Sequence, residues 1–343
     1  NIDSLLELTL RENALEGTLP SQLSLLNELS VLLIDSNYFQ GDPIAILDSL
    51  TYLETLMAHA NNFTGAIHDN FLQSHDRLEW ADLSDNHFFS SAFDTAIPSN
   101  LFLLERLQVL DLSGNKLQGS LPSVIPVNDQ IKFLSLYGNS VTGSVPDNIS
   151  NLRALHHLDL SENKLKGSFK ACGYLAKLRA LYLGGNVNLE PGMIPIEFEN
   201  LVFLQDLSLR ETSRSGPLPV FLDQLPNLVL LDLGSNDFSG TIPYEYGFNV
   251  GLEFLMLNNN PKVVGSVPVS FDKLVDLRAV FLDGTTVTKS VEEVICALPR
   301  FQVKDGRQVA FADCLGTDFN CKCCTCCPPG GCSEPFQMNL RHN

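Results

Sequence analysis

Eight of the nine cysteines crowd into one segment: Cys296, Cys314, Cys321, Cys323, Cys324, Cys326, Cys327 and Cys332. Thiols this dense either staple a small fold as disulfides or hold a soft metal ion as thiolates. The even number and the position near one end of the chain favour a disulfide-stapled cap, with no pairing assigned and no metal expected. Cys172 stands apart and reads as a small buried apolar residue. The seven histidines are scattered, with His156 and His157 the one adjacent pair. No phosphate-cradling glycine loop, H-E-x-x-H or G-x-S-x-G pattern is present, and no catalytic residue, cofactor or enzymatic activity is expected. Asp111, Asp159 and Asp232 recur in near-identical surroundings, which makes them solvated strand decoration rather than an acid–base pair. Two N-x-[ST] sequons, at Asn62 and Asn148, are candidate glycosylation sites, with Asn148 the better placed.

The elements that carry these residues are set by a repeat. "LLELTLRENALEGTLP" returns as "LQVLDLSGNKLQGSLP" from Leu107, "IKFLSLYGNSVTGSVP" from Ile131 and "LVLLDLGSNDFSGTIP" from Leu228. The shared frame is L-x-x-L-x-L-x-x-N-x-L-x-G-x-(I/L/V)-P. Its Asn position is filled by Asn13, Asn37, Asn61, Asn86, Asn115, Asn139, Asn163, Asn186, Thr212, Asn236, Asn260 and Thr285, at spacings of 23–29 residues. Thr212 and Thr285 replace the Asn, Ser90 and Lys289 replace the Gly, and an insertion follows Phe88. Alternating leucines put one face of a short strand inward. Stacked copies merge those faces into a core that no single copy can bury. The Asn amide can satisfy backbone groups where the chain turns off the strand, Gly permits dihedrals a side chain would block, and Pro fixes an extended segment.

This frame resembles the plant-type extracellular leucine-rich repeat, and the Cys-rich end resembles that of diatom and algal leucine-rich-repeat proteins. The resemblance implies an α/β repeat solenoid, a right-handed superhelix with a parallel concave β-sheet and convex 3-10 or loop segments. About twelve repeats are expected over residues 1–291, followed by a Cys-rich cap and tail over 292–343, with a short amphipathic helix after Val291. The first repeat starts within five residues of Asn1 with no preceding Cys pair. An upstream cap, or a partner covering that edge, is therefore expected, and Asn1 is not expected to be the first residue encoded.

Composition narrows the function. The chain has 22 Lys plus Arg against 40 Asp plus Glu, a net charge of −18 over 343 residues. That excess disfavours nucleic acid and anionic membrane surfaces. No apolar run approaches the ~20 residues of a membrane span, so no insertion is expected within this segment. The strand positions pointing away from the core remain. Three groups stand out there: Leu33, Met57, His59 and Trp80; Phe133, Tyr137, His157 and Tyr182 with Arg210 nearby; and Leu230, Phe254, Met256 and Phe281. Exposed aromatics and Met on a sheet lack a folding rationale and typify interface anchors. Asp35, Asp82, Asp85 and Asp206 suit a basic or neutral ligand better than an acidic one. The expected function is an extracellular or cell-surface recognition module for a protein, peptide or glycan, with a co-receptor or self-assembly as further partner classes. A structural or adhesive matrix role is one alternative, and the family resemblance implies a glycan-hydrolase inhibitor as another. A hydroxyl row after the repeat Gly (Thr18, Ser120, Ser144, Ser168, Thr241, Ser266 and Ser290) is read as local strand preference rather than a lattice-binding surface.

Overall fold

The computed structural model describes residues 4–91, 95–302, 309–312 and 323–326. It divides into two units, residues 1–190 with 195–204 and residues 191–194 with 205–343. In the first unit, strands Glu7–Thr9, Val31–Leu33, Thr55–Met57, Trp80–Asp82, Val109–Asp111, Phe133–Ser135, His157–Asp159 and Ala180–Tyr182 lie side by side in chain order. All pair parallel and in matching register, Leu32 opposite Leu56 and Leu134 opposite Leu158. In the second unit, Asp206–Ser208, Leu230–Asp232, Phe254–Met256 and Ala279–Phe281 continue the same pattern. Two more parallel strands, Val309–Ala312 and Cys324–Cys326, extend that sheet into the Cys-rich segment.

Each strand is only three residues long in the repeats because only the middle one and the flanking leucines need to point inward. Leu29, Leu32 and Ile34 have no solvent exposure, and the same holds for Leu107, Leu110 and Leu112. The opening rung differs, with Leu6 59% and Leu15 38% exposed. The G-x-(I/L/V)-P half forms a second short strand in most rungs, such as Asn62–Ile67 and Asp237–Thr241. The Pro then caps a one-turn 3-10 helix. Pro146, Pro219 and Pro268, all extended, precede Asp147–Asn151, Val220–Gln224 and Val269–Lys273. The expected single helix after Val291 is instead a wide π-type turn, Val291–Ile295, and a separate helix, Pro299–Gln302. Pro299 accounts for the break, since it cannot donate to a continuing helix.

The residue before each ladder Asn adopts a left-handed backbone, from Ser36 (φ 55°) and Ala60 (φ 51°) to Gly138 (φ 64°) and Ser235 (φ 52°). For non-glycine residues this costs roughly 1–2 kcal/mol. The Asn amides offset it. Asn61 Nδ2 donates to the carbonyls of Ile34, Ala58 and His59, and its Oδ1 accepts the Phe39 N–H of the preceding rung. Thr285 reaches only its own turn, donating to the Leu282 carbonyl at 2.6 Å.

The repeat glycine has a steric cause. Gly143 has φ +74°, and a Cβ there would sit 2.8 Å from Ser120 Cβ of the rung before. The same contact joins Gly41 to Thr18, Gly167 to Ser144 and Gly265 to Thr241. The hydroxyl row thus marks where a small residue must face the next glycine. Gly143→Ala is expected to lower stability by about 2 kcal/mol, from the left-handed backbone and the overlap together. Adding Ser120→Gly should recover about half in chemical denaturation. No recovery would remove the steric explanation.

Candidate functional site

The outward sheet positions are occupied as the frame implies, except that Leu230 and Asp35 are buried. Asp111 and Asp232, expected as solvated decoration, are each 8% exposed, because each carboxylate turns back to accept an N–H two residues on, from Ser113 and Gly234. Phe133, Tyr137, His157 and Tyr182 are half-buried in the first unit, and Trp80 is 42% exposed. Arg210, Phe254, Met256 and Phe281 are half-buried in the second unit. Leu230 is not a surface residue: it is 1% exposed. Its strand partners Asp206 and Phe254 flank it at strand spacing, so it lies between their side chains.

Register brings part of the middle group into contact. Phe133 stands opposite His157, their rings stacked at 4.2 Å between centroids and 15° between planes. His157 and Tyr182 follow at 5.4 Å. Arg210 belongs to the other unit, where its Nε lies 3.5 Å from Glu211 Oε1. Met256 stands opposite Phe281.

The Leu33, Met57, His59 and Trp80 group contains an ion-pair chain that spacing alone does not reveal. Asp35 is wholly buried, with Arg11 Nε and His59 Nε2 each 3.5 Å from its carboxylate. His59 Nδ1 lies 3.1 Å from Asp82 Oδ2. Pairing with the Asp82 carboxylate raises the His59 pKa above its ordinary value, against the effect of burial. Burial pushes the Asp82 carboxyl up, but hydrogen bonds from His59 and Ser84 outweigh it and hold the group below the usual range. Asp111 is pushed up to about 6, first by burial and then by the Asp82 charge.

His75 shows the opposite behaviour. It is fully buried with Nε2 3.1 Å from the Leu47 carbonyl, and burial lowers its pKa. The two histidines therefore act in adjacent windows. Stability from His59 is complete below its ordinary value of 6.5 and is lost as pH rises through the raised folded value. Stability linked to His75 is present above 6.5 and is lost as pH falls toward the lowered folded value. His59→Gln should flatten the pH dependence of unfolding on the alkaline side only. An unchanged alkaline slope would rule out the Asp35–His59–Asp82 pairing as its source.

The modification sites fall unevenly. Asn62 is exposed on its strand. Asn148 is half-buried, and its Nδ2, the atom a glycan would take, donates to the Ser123 carbonyl at 2.9 Å. Cys296 and Cys323 form a disulfide, and Cys324 is also disulfide-bonded. Cys314, Cys321, Cys327 and Cys332 lie outside the described residues, as does the Cys326 side chain. Cys172 is fully buried, which pushes its thiol up to about 12. Arg214, which sequence reading passed over, fills the apolar position that Phe238 fills one rung later. It is 3% exposed and donates through Nε to the Thr212 carbonyl. The visible signal was a charged residue in the L position of "TSRSG".

Leucine-rich-repeat family models match residues 129–187 and 106–127. Receptor-like protein 39 of Arabidopsis thaliana is 33% identical over 79% of this chain. The chain belongs to the plant-type leucine-rich-repeat proteins. Receptor-like protein 18 of the same plant is 31% identical over 92% of the chain. The chain spans 27% and 39% of the lengths of these two curated relatives. Among solved structures, the Arabidopsis receptor kinase HAESA, in complex with the peptide hormone IDA and the co-receptor SERK1, aligns with a TM-score of 0.71. The identity is 28%, over 83% of this leucine-rich-repeat chain and 46% of that one. An internalin from Listeria monocytogenes shares the fold alone, with a TM-score of 0.71 at 18% identity over 91% of this chain and 81% of its own.

Proposed function

We propose that this chain is the recognition part of a cell-surface or secreted receptor-like protein, and that it binds a peptide or protein segment on the outward face of its sheet without catalysing a reaction. The observation that carries this reading is the run of half-buried aromatic side chains Phe133, His157 and Tyr182, brought into contact across successive rungs. Aromatic side chains lose little rotamer freedom on binding and so anchor partners at low entropic cost. The receptor-like relatives support the reading, as does the peptide-bound receptor kinase of the same fold. The Cys296–Cys323 disulfide supports an oxidising compartment. Among the described residues no helix is long and apolar enough to cross a membrane.

The test is affinity capture from a cell-surface extract. The wild type is compared with a Tyr137→Ala, Tyr182→Ala, Phe254→Ala variant that melts within a few degrees of it. Loss of the principal captured species is the expected result, and an identical set of partners would refute the reading.

A further inference from the structure

The first unit carries a cationic strip against the trend of the whole chain. Residues 130–180 hold seven Lys plus Arg and three Asp plus Glu, within a protein of net charge −18. Three cationic or titratable side chains of that segment align on successive rungs. The His156 N–H donates to the Lys132 carbonyl at 2.8 Å and the Arg179 N–H to the His156 carbonyl at 2.7 Å, so Lys132, His156 and Arg179 form one row. Lys132 and Arg179 are exposed and His156 is half-buried. Lys132 Nζ donates to Gln108 Oε1 at 2.8 Å. Among the described residues, no carboxylate pairs with Lys132, Lys177 or Arg179.

This row borders the aromatic one, since each of its residues directly precedes Phe133, His157 or Ala180 in the chain. On the other side of Phe133 and His157 lie Ser135, Asp159 and Tyr182 in register with one another, Asp159 Oδ1 accepting from the Ser161 N–H. The face thus has a cationic edge, a middle of stacked Phe133 and His157, and a far side that carries both Asp159 and the Tyr182 ring against His157. The stacking of Phe133 on His157 covers the facing ring surfaces and leaves edges outward. A sugar ring needs an open aromatic face to lie on, so this arrangement suits side chains better than pyranose rings.

We propose that this strip binds an extended peptide through an acidic–apolar–acidic triplet, the two carboxylates meeting Lys132, His156 and Arg179 and the middle side chain resting on Phe133, His157 and Tyr182. The inference rests on the recognition-face reading above and names the ligand class for it. It also reverses the expectation, drawn from Asp35, Asp82, Asp85 and Asp206, that a basic or neutral ligand suits this surface. The dimensions agree. Residues i and i+2 of an extended chain are about 6.6 Å apart, and three rungs span about 9.6 Å, within reach of flexible Lys and Arg heads. Desolvation, then the charges of Arg179, Lys177 and Lys132, already lower the His156 pKa. An incoming carboxylate relieves that repulsion.

The experiment measures fluorescence anisotropy of fluorescein-labelled Gly-Glu-Tyr-Glu-Gly against the same peptide with Gln or Lys in place of Glu. The Glu probe is expected to bind at least tenfold more tightly than either. Lys132→Glu with Arg179→Glu should weaken it at least tenfold. Lys166→Glu with Lys170→Glu, an equal charge change on exposed residues of the same unit, should stay within twofold. Equal binding of Glu and Gln probes would overturn the proposal, as would equal sensitivity to the two charge reversals. Preferential binding of polygalacturonate over the peptide would overturn it in favour of an anionic glycan. If the Glu probe fails while the aromatic variant still loses its captured partners, the acidic-triplet inference falls and the recognition face stands. If capture is also unchanged, both fall.

Discussion

Phe63→Ala is expected to cost 3–5 kcal/mol, the range for removing a large buried aromatic side chain. Phe63 has no solvent exposure and lies between Phe39, at 6.0 Å and 8°, and Phe88, at 6.4 Å and 26°. Its removal opens a cavity in three consecutive rungs. Because rungs touch mainly their neighbours, the damage should stay local. Amide exchange should rise first across the strands Val31–Leu33, Thr55–Met57 and Trp80–Asp82, while His157–Asp159 keeps its protection. Phe63→Leu places there the residue that Leu117 and Leu165 supply in later rungs, and should cost under about 1.5 kcal/mol. A loss below about 1 kcal/mol for the alanine variant would show that the aromatic row does not brace these rungs.

Asn139→Ala should remove about 2–4 kcal/mol, less than its four hydrogen bonds suggest. Asn139 Nδ2 donates to the carbonyls of Leu112, Leu136 and Tyr137, and Oδ1 accepts the Leu117 N–H at 2.9 Å. The acceptors keep other donors. Leu112 retains Asn115, Leu136 retains Asn163, and Tyr137 retains the Gly114 N–H. The Leu117 N–H is the group left buried and unmet, and its desolvation dominates the cost. Asn139→Thr should recover little, because a hydroxyl at this position reaches only its own turn, as at Thr285. Chemical denaturation of the three proteins measures the order. Near-equal stability of wild type and alanine variant would contradict the ladder account.

The frame was legible because each repeated residue does the same local work in every rung. The leucines, the Asn, the Gly and the Pro all occupy the places their chemistry required. What the frame does not encode is how side chains on neighbouring rungs cover one another. Leu230 points outward by its position, yet is 1% exposed between its register partners Asp206 and Phe254. Asp35 also points outward, yet is buried between Arg11 and His59 rather than adding open negative charge. Asn148 sits on the expected 3-10 turn, but its amide is engaged by a carbonyl of the preceding rung. The same limit hid the cationic strip: Lys132, His156 and Arg179 lie 23–24 residues apart and form a row only through strand register. Arg214 was hidden differently, by a degraded repeat that tolerates a buried cation where others place Phe or Leu.

The claim that the outward sheet face is the recognition surface is tested most directly by site-specific photo-crosslinking. Benzoylphenylalanine is placed at position 133 on the sheet, or at position 248, a 47% exposed phenylalanine on a helical turn. Each protein is irradiated in cell-surface extract. A discrete adduct at position 133 with only background at 248 is the predicted result. A discrete adduct at 248 with none at 133 would contradict it.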